Sequence, residues 1–475
     1  MRKLWINNQS IESASSQEIL VLNPATEEVI DSIPKGSPED VELAVQSARM
    51  AFPEWSALAP SERRTVLKKI ARGIENHAEN IAKILTEEQG KPLPQAQAEV
   101  GGIVGMIEEY AELAVAFRSG SQGSALGDLV FQRWEPRGVA ACIVPWNFPL
   151  QVAFETIAPN LAVGNTVVVK PASVTPLSLR YIAEIAFDEL PPGVCNVLLG
   201  SGSITGEALI RHPEVDVIMF IGSEDTGRHI GRIAGENLKK SILELGGKDV
   251  LIIDDSIDVE ITAKHAADAC YANAGQICTS TERVYVQDTI YNQFIEALVA
   301  ESEKIRWGNG LEEGITMGPI IDETQRDLID SHVQEALSKG ARLLVGGEKK
   351  SINSRGYFYP PTVITDVSLN SKLIREETFG PVAPVMKFSN FSDAIKMANN
   401  SPYGLSAIAY TQNSTNALEF IQKIEAGMVK VNTRRGKSHG ATSEPFKLSG
   451  LGNGYGIEVM QELTRQKSIH WRSKL

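Results

Sequence analysis

Short apolar, β-rich runs alternate with amphipathic helical windows along most of this chain, and this pattern constrains the fold more than any other feature. The strand candidates are GVAACIV (138–144), TVVVK (166–170), CNVLLG (195–200), DVIMFIG (216–222) and DVLIIDD (249–255). Helical windows cover 175–190 and 204–212, and the alternation begins again near residue 280. Nearly continuous apolar strands joined by helices are typical of parallel sheets. The pattern predicts an α/β protein with two doubly wound domains.

The length of 475 residues exceeds the size at which one hydrophobic core stops growing, so more than one domain is expected. A long helical region, 38–118, precedes the first central strands. Two further strand candidates, in SQGSALGDLVFQRWEP (121–136) and in the tail LTRQKSIHW, fit neither domain. They predict either pairing with another subunit, because exposed strand edges need partners, or a local surface hairpin.

The composition excludes several classes of protein. The chain has 46 Lys and Arg against 59 Asp and Glu, a formal net charge of −13, which argues against nucleic acid as the main partner. No apolar stretch approaches the roughly 20 residues that a membrane span needs, and no secretory signal is recognised, so a cytoplasmic protein is expected. Four cysteines without a CxxC motif predict neither a disulfide framework nor a structural zinc site.

Cys278, in the stretch NAGQICTS (273–280), is the first candidate for chemistry. A lone cysteine is most often a buried packing residue, and a metal ligand and a nucleophile are the alternatives. The small neighbours Ala274, Gly275 and Thr279 leave room for a substrate to approach. That access, together with a group that favours the thiolate, is what a nucleophilic cysteine needs.

Two other stretches place a polar residue in rigid or apolar surroundings. In LELGGKD (243–249), Glu244 stands between leucines before a Gly–Gly turn and is a candidate general base; a surface glutamate is the alternative. In VPWNFP (144–149), two prolines and two aromatic residues bracket Asn147. A rigidly held amide could donate to an oxyanion, and an ordinary turn after a strand is the alternative.

Two strand ends carry candidate cofactor contacts. Lys170 ends the apolar run in VVVKPASVTP, at the edge of a doubly wound sheet where ligands bind. In FIGSEDTG (220–227), a strand runs through Gly222 and Ser223 into a helix whose first N–H groups could hold a pyrophosphate. The spacing to Gly227 differs from the GxGxxG pattern, so this signal is weak in isolation.

Six motifs in this order, PWNFP, KPAS, GSxxxG, LELGGK, GQxC and EETFGP, make the chain resemble the NAD(P)-dependent aldehyde dehydrogenase superfamily over nearly its whole length. The chain is most similar to the lactaldehyde/glycolaldehyde and semialdehyde dehydrogenase branches, and its late segments resemble the lactaldehyde/glycolaldehyde branch. The resemblance implies an aldehyde dehydrogenase-like fold with a cofactor-binding domain (1–117 and 137–246), a catalytic domain (247–446) and a small β oligomerisation element (118–136 and 462–475). A homodimer or homotetramer is expected from that element.

The resemblance also implies the reaction, an irreversible oxidation of a small aldehyde to its carboxylic acid. Cys278 would attack the aldehyde, and the Asn147 side chain and the Cys278 N–H would stabilise the oxyanion. After hydride transfer to NAD(P)+, Glu244 would activate the water that hydrolyses the thioester. No metal is implied. A relative that passes the acyl group to coenzyme A and a non-catalytic structural member are the alternatives, and the presence of both Cys278 and Glu244 argues against them.

The cofactor contacts follow from the same resemblance. Lys170 would reach the adenine ribose, Ser223 the pyrophosphate and Glu377 the nicotinamide ribose. Ser173 stands where NAD-preferring members often carry a glutamate that repels a 2′-phosphate, so use of both NAD and NADP is expected. The implied contacts are Trp146, Lys170, Ser173, Gly222, Ser223, Gly227, Glu377 and Phe379.

The substrate is expected to be a short hydroxyaldehyde similar to lactaldehyde or glycolaldehyde. Glu155 stands where branches that oxidise semialdehydes or hydroxyaldehydes often carry an arginine. The segment NTRRGKSHG (432–440) places Arg434, Arg435 and His439 in the loop expected to wall the aldehyde entrance. A small anionic aldehyde, a semialdehyde or sulfolactaldehyde, is therefore the alternative. A solvated loop, or an Arg434–Glu155 pair, is the plainer interpretation of these charges, and an unpaired Glu155 would suit a cationic aminoaldehyde.

Overall fold

The computed structural model describes residues 1–117, 121–123, 129–433 and 443–472. Its strands are β1 (Leu4–Ile6), β2 (Gln9–Ile11), β3 (Glu18–Leu22), β4 (Val29–Pro34), β5 (Ser121–Gly123), β6 (Leu129–Pro136), β7 (Val139–Ile143), β8 (Thr166–Lys170), β9 (Cys195–Val197), β10 (Val217–Ile221), β11 (Lys240–Glu244), β12 (Asp249–Ile253), β13 (Thr281–Gln287), β14 (Arg342–Val345), β15 (Lys350–Ile352), β16 (Arg355–Phe358), β17 (Thr362–Thr365), β18 (Val382–Phe388), β19 (Tyr403–Gly404), β20 (Ser406–Tyr410), β21 (Met428–Val431), β22 (Phe446–Lys447), β23 (Gly450–Leu451) and β24 (Thr464–Trp471).

Its α-helices are α1 (Pro38–Ala57), α2 (Pro60–Asn76), α3 (Ala78–Gln89), α4 (Leu93–Ala116), α5 (Pro149–Val163), α6 (Leu177–Ala186), α7 (Glu207–Arg211), α8 (Glu224–Glu236), α9 (Val259–Tyr271), α10 (Tyr291–Glu303), α11 (Glu323–Ser338), α12 (Lys372–Arg375), α13 (Phe391–Asn399), α14 (Ser414–Lys423) and α15 (Gly456–Glu462). Within the described ranges, no helix combines the length and apolar character that crossing a bilayer needs.

Two large sheets organise the molecule, each with its own cluster of buried apolar side chains. The first has the strand order β2-β1-β9-β8-β7-β10-β11-β23, and the second has the order β14-β17-β18-β13-β12-β20-β21. The central pairs of both sheets are parallel, while the outer strands β1, β23 and β14 pair antiparallel with their neighbours. The predicted α/β fold with two parallel sheets is confirmed.

The central strands lie where the apolar runs predict them. β8 and β12 are buried at every position, because a parallel strand inside an α/β protein is covered on both faces. The helical windows are less regular than predicted. The window 175–190 is α6 followed by a 3-10 turn at Phe187–Glu189, and the window 204–212 is α7 preceded by a π-helical turn at Gly202–Gly206.

A separate three-stranded sheet has the order β24-β6-β5. β6 and β24 pair antiparallel over their whole length, from Thr464 opposite Pro136 to Trp471 opposite Leu129. The two strand candidates that fit neither domain therefore pair with each other. Their assignment to an oligomerisation element stays a prediction.

Candidate active site

A cavity of about 530 Å³ lies at the carboxyl ends of β7, β10 and β11, facing loops and helices that follow β12. In an open parallel sheet this edge is where ligands bind. The described residues Lys170, Ser173 and Gly227 are not part of its wall, and Arg434, Arg435 and His439 lie outside the described residues. The predicted site residues that do line it are Trp146, Asn147, Glu155, Gly222, Ser223, Glu244, Cys278, Glu377 and Phe379.

Cys278 lies in a strained loop after α9. Asn273, Ala274 and Gly275 have φ values of 50°, 57° and 72°, three successive left-handed conformations, each of which costs a non-glycine residue about 1–2 kcal/mol. A Cβ at Gly275 would lie 2.1 Å from the carbonyl oxygen of Gly380, so this close approach requires glycine. The loop brings Cys278 Sγ to 3.8 Å from Glu244 Oε1, where the thiol can donate to the carboxylate.

Exposure distinguishes Cys278 from the other cysteines. Cys142, Cys195 and Cys270 are fully buried, and burial raises the pKa of each thiol. Cys278 is half-buried in the cavity wall, beside the Glu244 carboxylate. In the part of the chain that the structure describes, no group of three or more His, Cys, Asp or Glu side chains could hold a metal ion. The arrangement around Cys278 is that of a nucleophile with an adjacent base.

Asn147 follows β7 and immediately precedes the first turn of α5, and only 5% of it is exposed. Its Nδ2 donates to the carbonyl oxygen of Gln276 at 3.0 Å. Its own carbonyl oxygen accepts from Asn273 Nδ2, also at 3.0 Å. A primary amide carries two hydrogens, so the second can serve an oxyanion in the cavity. The structure thus brings together Cys278, Glu244 and Asn147 from three segments of the chain.

The turn between β10 and α8 forms one end of the cavity. Ser223 is the N-cap residue of α8, and its hydroxyl donates to Thr226 Oγ1 at 3.0 Å and accepts no capping hydrogen bond from the N–H groups of the helix. A Cβ at Gly227 would lie 2.3 Å from Leu245 Cδ2, so glycine lets α8 pack closely against the end of β11. The unshared N–H groups and the partial positive charge of a helix start suit a pyrophosphate.

Lys170 lies at the end of β8 and is buried. Its Nζ donates to the carbonyl oxygens of Pro171 at 2.9 Å and Gly200 at 3.2 Å, and burial lowers its pKa to about 8. No ion pair joins it to a carboxylate of the described residues. Ser173 follows three residues later and is half-buried. An ammonium held by carbonyl groups alone, with a hydroxyl nearby, fits the hydroxyls or phosphate of a nucleotide ribose.

Glu377 and Phe379 close the cavity from the second sheet. Glu377 Oε1 accepts from the Gly247 N–H at 3.1 Å, and burial, reinforced by the nearby negative charge of Glu282, raises the pKa of Glu377 to about 8. Phe379 has a φ of 52° and packs edge to face against Trp146, with ring centroids 5.4 Å apart. Two aromatic rings and a carboxyl group that line one cavity are groups that suit a flat ring attached to a ribose.

Buried Lys–Glu pairs support the loops of this site, and sequence reasoning missed them. Lys248 Nζ contacts Glu282 Oε2 at 2.5 Å and Thr378 Oγ1 at 3.1 Å. The Glu282 carboxylate also accepts from the backbone N–H groups of Thr378 at 2.8 Å and Phe379 at 2.7 Å. This pair holds Phe379 in its left-handed conformation. Lys248 stands directly after the Gly–Gly turn, and this position is the sequence feature that could have pointed to it.

Another part of the cavity wall, formed by α5, α9 and β21, carries charged side chains. Glu155, in α5, is buried and accepts from Gln151 Nε2 at 3.2 Å. Asp268 from α9 and Lys430 from β21 also line this part of the wall. The sequence pointed to Glu155 but not to Gln151, Asp268 or Lys430, because only tertiary packing turns these residues toward one cavity.

The family is shown by comparison with known proteins. A family model described as Aldehyde dehydrogenase family matches residues 11–469. The chain is 36% identical over 474 residues to the lactaldehyde dehydrogenase of Escherichia coli (strain K12), covering 99% of this chain and 98% of that protein. It is also 36% identical to an NADP(+) succinate-semialdehyde dehydrogenase of the same organism, with 96% of each chain covered.

The chain is also similar in structure to a solved aldehyde dehydrogenase. The crystal structure of betaine aldehyde dehydrogenase from Staphylococcus aureus in complex with NAD+ matches with a TM-score of 0.96 and 34% identity, covering 100% of this chain and 97% of that chain. The family model spans far more than half of the 475 residues. The chain therefore belongs to the aldehyde dehydrogenase family, as an NAD(P)-dependent oxidoreductase that oxidises aldehydes.

Proposed function

We propose that this protein converts a small aldehyde irreversibly to its carboxylic acid, with Cys278 as the nucleophile and NAD(P)+ as the hydride acceptor. The observation that carries the proposal is the 3.8 Å approach of Cys278 Sγ to Glu244 Oε1, in a cavity that Asn147 also lines. A nucleophile with an adjacent base in an enclosed cleft is the arrangement of covalent catalysis. A purely structural role is the remote alternative, and the intact trio argues against it.

Each group of this trio has a chemical task. Cys278 Sγ forms a bond to the carbonyl carbon as the thiol proton passes to the Glu244 carboxylate, and Asn147 Nδ2 and the Cys278 N–H donate to the oxyanion. Bound NAD(P)+ supplies the acceptor for the hydride that leaves this carbon, so Cys278 then carries a thioester. Glu244, having released its proton to solvent, takes a proton from the water that attacks the thioester. The acid leaves and the Cys278 thiol is restored.

Both NAD and NADP are substrates under this proposal. A 2′-phosphate would supply a counter-charge for the buried Lys170 ammonium, whose own contacts are backbone carbonyls. Ser173 places no carboxylate in the way of that phosphate. Among similar proteins, one is named for NADP(+) and one is solved with NAD+, which supports a fold that accommodates either cofactor.

A short hydroxyaldehyde is the proposed substrate class. The part of the cavity wall with charged side chains, where Gln151 donates to Glu155, offers hydrogen bonds to a hydroxyl group next to the carbonyl carbon. Similarity to a lactaldehyde dehydrogenase supports this choice. A small anionic aldehyde is the second candidate, because Lys430 lines the same part of the wall and Arg434, Arg435 and His439 follow it closely in the sequence.

The proposed setting is a cytoplasmic homodimer or homotetramer made of three parts, with the cofactor-binding, catalytic and oligomerisation boundaries given above. Four cysteines without a disulfide fit a reducing compartment. The β6–β24 ladder, which stands apart from both large sheets, supports an oligomerisation element.

The test is NAD(P)H formation at 340 nm across neutral, anionic and cationic aldehydes of similar length, each with both cofactors. We expect neutral hydroxyaldehydes to have the highest kcat/KM, and Cys278→Ala to abolish turnover with every aldehyde. A preference of about tenfold for anionic aldehydes, equal to about 1.4 kcal/mol in transition-state binding, would favour the second candidate. Turnover that survives Cys278→Ala would show that the proposed nucleophile is wrong.

A further inference from the structure

A buried ion pair lies directly beneath the Asn147 loop. Lys91, in the loop after α3, is 1% exposed and Glu99, in α4, is 4% exposed. Lys91 Nζ lies 2.5 Å from Glu99 Oε2. Removing two charges from water is costly, so such a pair is weak evidence for stability by itself. The other contacts of Lys91 and Glu99 indicate a role other than stabilising the fold.

Glu99 caps a helix from another part of the chain. Phe148, the N-cap residue of α5, offers no side-chain hydrogen bond to the helix. Glu99 Oε1 supplies it instead, accepting from the N–H groups of Leu150 and Gln151 at 3.0 Å each. The carboxylate therefore fixes the first turn of α5, which immediately follows Asn147.

Lys91 fixes Asn147 itself. Its Nζ donates to the Asn147 carbonyl oxygen at 3.0 Å and lies 3.8 Å from the centroid of the Phe148 ring. The same carbonyl oxygen accepts from Asn273, in the loop that carries Cys278. Lys91 is thus placed to hold the backbone of Asn147 in register with the nucleophile's loop.

We propose that Lys91 and Glu99 are positioning residues for aldehyde oxidation, which hold the Asn147 amide where the oxyanion forms. The inference rests on the role of Asn147 in the proposed function. It assigns the pair to the acylation step, in which the oxyanion develops, and not to cofactor binding. A displacement of about 1 Å at a reacting group can cost about a hundredfold in rate.

The test measures the first turnover of Lys91→Met and Glu99→Gln as the pre-steady-state formation of NAD(P)H. We expect each to slow it about 10- to 100-fold while the Kd for NAD(P)+ changes less than about threefold. In an Asn147→Ala background, Lys91→Met should cost less than about threefold more, because the residue it positions is gone. Equal losses in both backgrounds would overturn the inference.

Glu88→Gln is the matched control. Glu88 is also buried and caps a helix from outside, accepting from the N–H groups of Leu177 at 2.6 Å and Ser178 at 3.0 Å, but that helix is α6. We expect its first turnover to stay within twofold of wild type at an equal loss of thermal midpoint. If Glu88→Gln slows the first turnover as much as Glu99→Gln does, the effect is general destabilisation and the inference is wrong.

The double variant Lys91→Met/Glu99→Gln removes both charges and keeps the test valid if a single variant does not fold. The double variant should slow the first turnover as much as the single variants do, and it should add little further loss in the Asn147→Ala background. A wild-type rate in the double variant would overturn the inference. Failure of the proposed function is seen separately. If Asn147→Ala alone leaves the first turnover unchanged, Asn147 has no oxyanion role and the positioning inference falls with it.

Discussion

Glu377, a proposed cofactor contact, is a buried carboxyl group from which we expect a pH dependence of cofactor binding. Burial in the cavity wall and the negative charge of Glu282 raise the pKa of Glu377 to about 8. The group is therefore protonated in the free protein below that pH and ionised above it. An ionised carboxylate can accept from two ribose hydroxyls, whereas a protonated one must donate its own hydrogen. Ionisation of Glu377 should therefore tighten NAD+ binding as the pH rises through 8, while Lys170, whose pKa is also about 8, loses its proton over the same range.

We expect the ratio of the NAD+ affinities of Cys278→Ala and Cys278→Ala/Glu377→Gln to increase about tenfold between pH 7 and pH 9, in step with the ionised fraction of Glu377, whose pKa is about 8. The alanine removes the Cys278 thiol from the titration. Quenching of tryptophan fluorescence measures the Kd, since Trp146 lines the cavity. Because Lys170 titrates in both variants, the ratio isolates Glu377, and a ratio that stays constant from pH 7 to pH 9 would assign the pH dependence to another group.

Ser173→Glu should convert the protein to a strict NAD enzyme. The introduced carboxylate would repel a 2′-phosphate near Lys170, while it can still accept from a 2′-hydroxyl. We expect kcat/KM with NADP+ to fall at least about tenfold and kcat/KM with NAD+ to change less than about threefold. Steady-state rates with both cofactors test this. Ser173→Gln matches the size without the charge, so an equal loss of NADP+ activity there would indicate crowding instead of repulsion.

At the scale of elements, the sequence predicted the strands better than the turns between them. β8 coincides with the run TVVVK and β12 lies inside DVLIIDD, because strands covered on both faces are apolar at each position. The window at 204–212 did not predict the π-helical turn at Gly202–Gly206, since a local change of helical period leaves no apolar signature. The sequence also did not predict the left-handed conformations at 273–275, although it showed that the residues there are small.

Gly275→Ala tests whether this left-handed run sets the geometry of the nucleophile's loop. The φ of 72° costs alanine about 1–2 kcal/mol, and the new Cβ would meet the Gly380 carbonyl oxygen at 2.1 Å. We expect a lower thermal midpoint and at least about a tenfold loss in kcat. Gly101→Ala in α4 is the control, because a Cβ there has no neighbour within 4 Å. Similar behaviour of the two variants would contradict this account.

At the scale of the whole molecule, the candidate site depends on contacts between segments that are far apart in the sequence. Lys91 and Asn147 are 56 residues apart, and Lys248 and Thr378 are 130 residues apart. The motif positions predicted Cys278, Glu244 and Asn147 as partners through resemblance to a family. No local pattern predicted the Lys–Glu pairs, because a buried charge is recognisable only when its tertiary partner is known.

One end of the three-stranded sheet exposes two large apolar side chains. Leu129 and Trp471 are directly opposite each other in the β6–β24 ladder and are 48% and 61% exposed. These two large apolar side chains lie side by side at one end of a sheet outside both apolar cores, and adjoining exposed apolar side chains are a feature of interaction surfaces. A second copy of this chain is the expected cover, and the same ladder would then explain why the tail pairs with residues 129–136.

Replacing both residues with lysine should therefore reduce the assembly without unfolding the subunit. Two charges at a desolvated interface without partners oppose association, while the ladder's backbone hydrogen bonds remain. We expect wild-type protein to be a dimer or tetramer by light scattering and Leu129→Lys/Trp471→Lys to be a smaller species with the same thermal midpoint at low concentration. Leu238→Lys, at a side chain that is 94% exposed after α8, should change neither. A monomeric wild type would contradict the expected assembly, and a double variant with unchanged mass would show that assembly uses a face other than the end of the β6–β24 ladder.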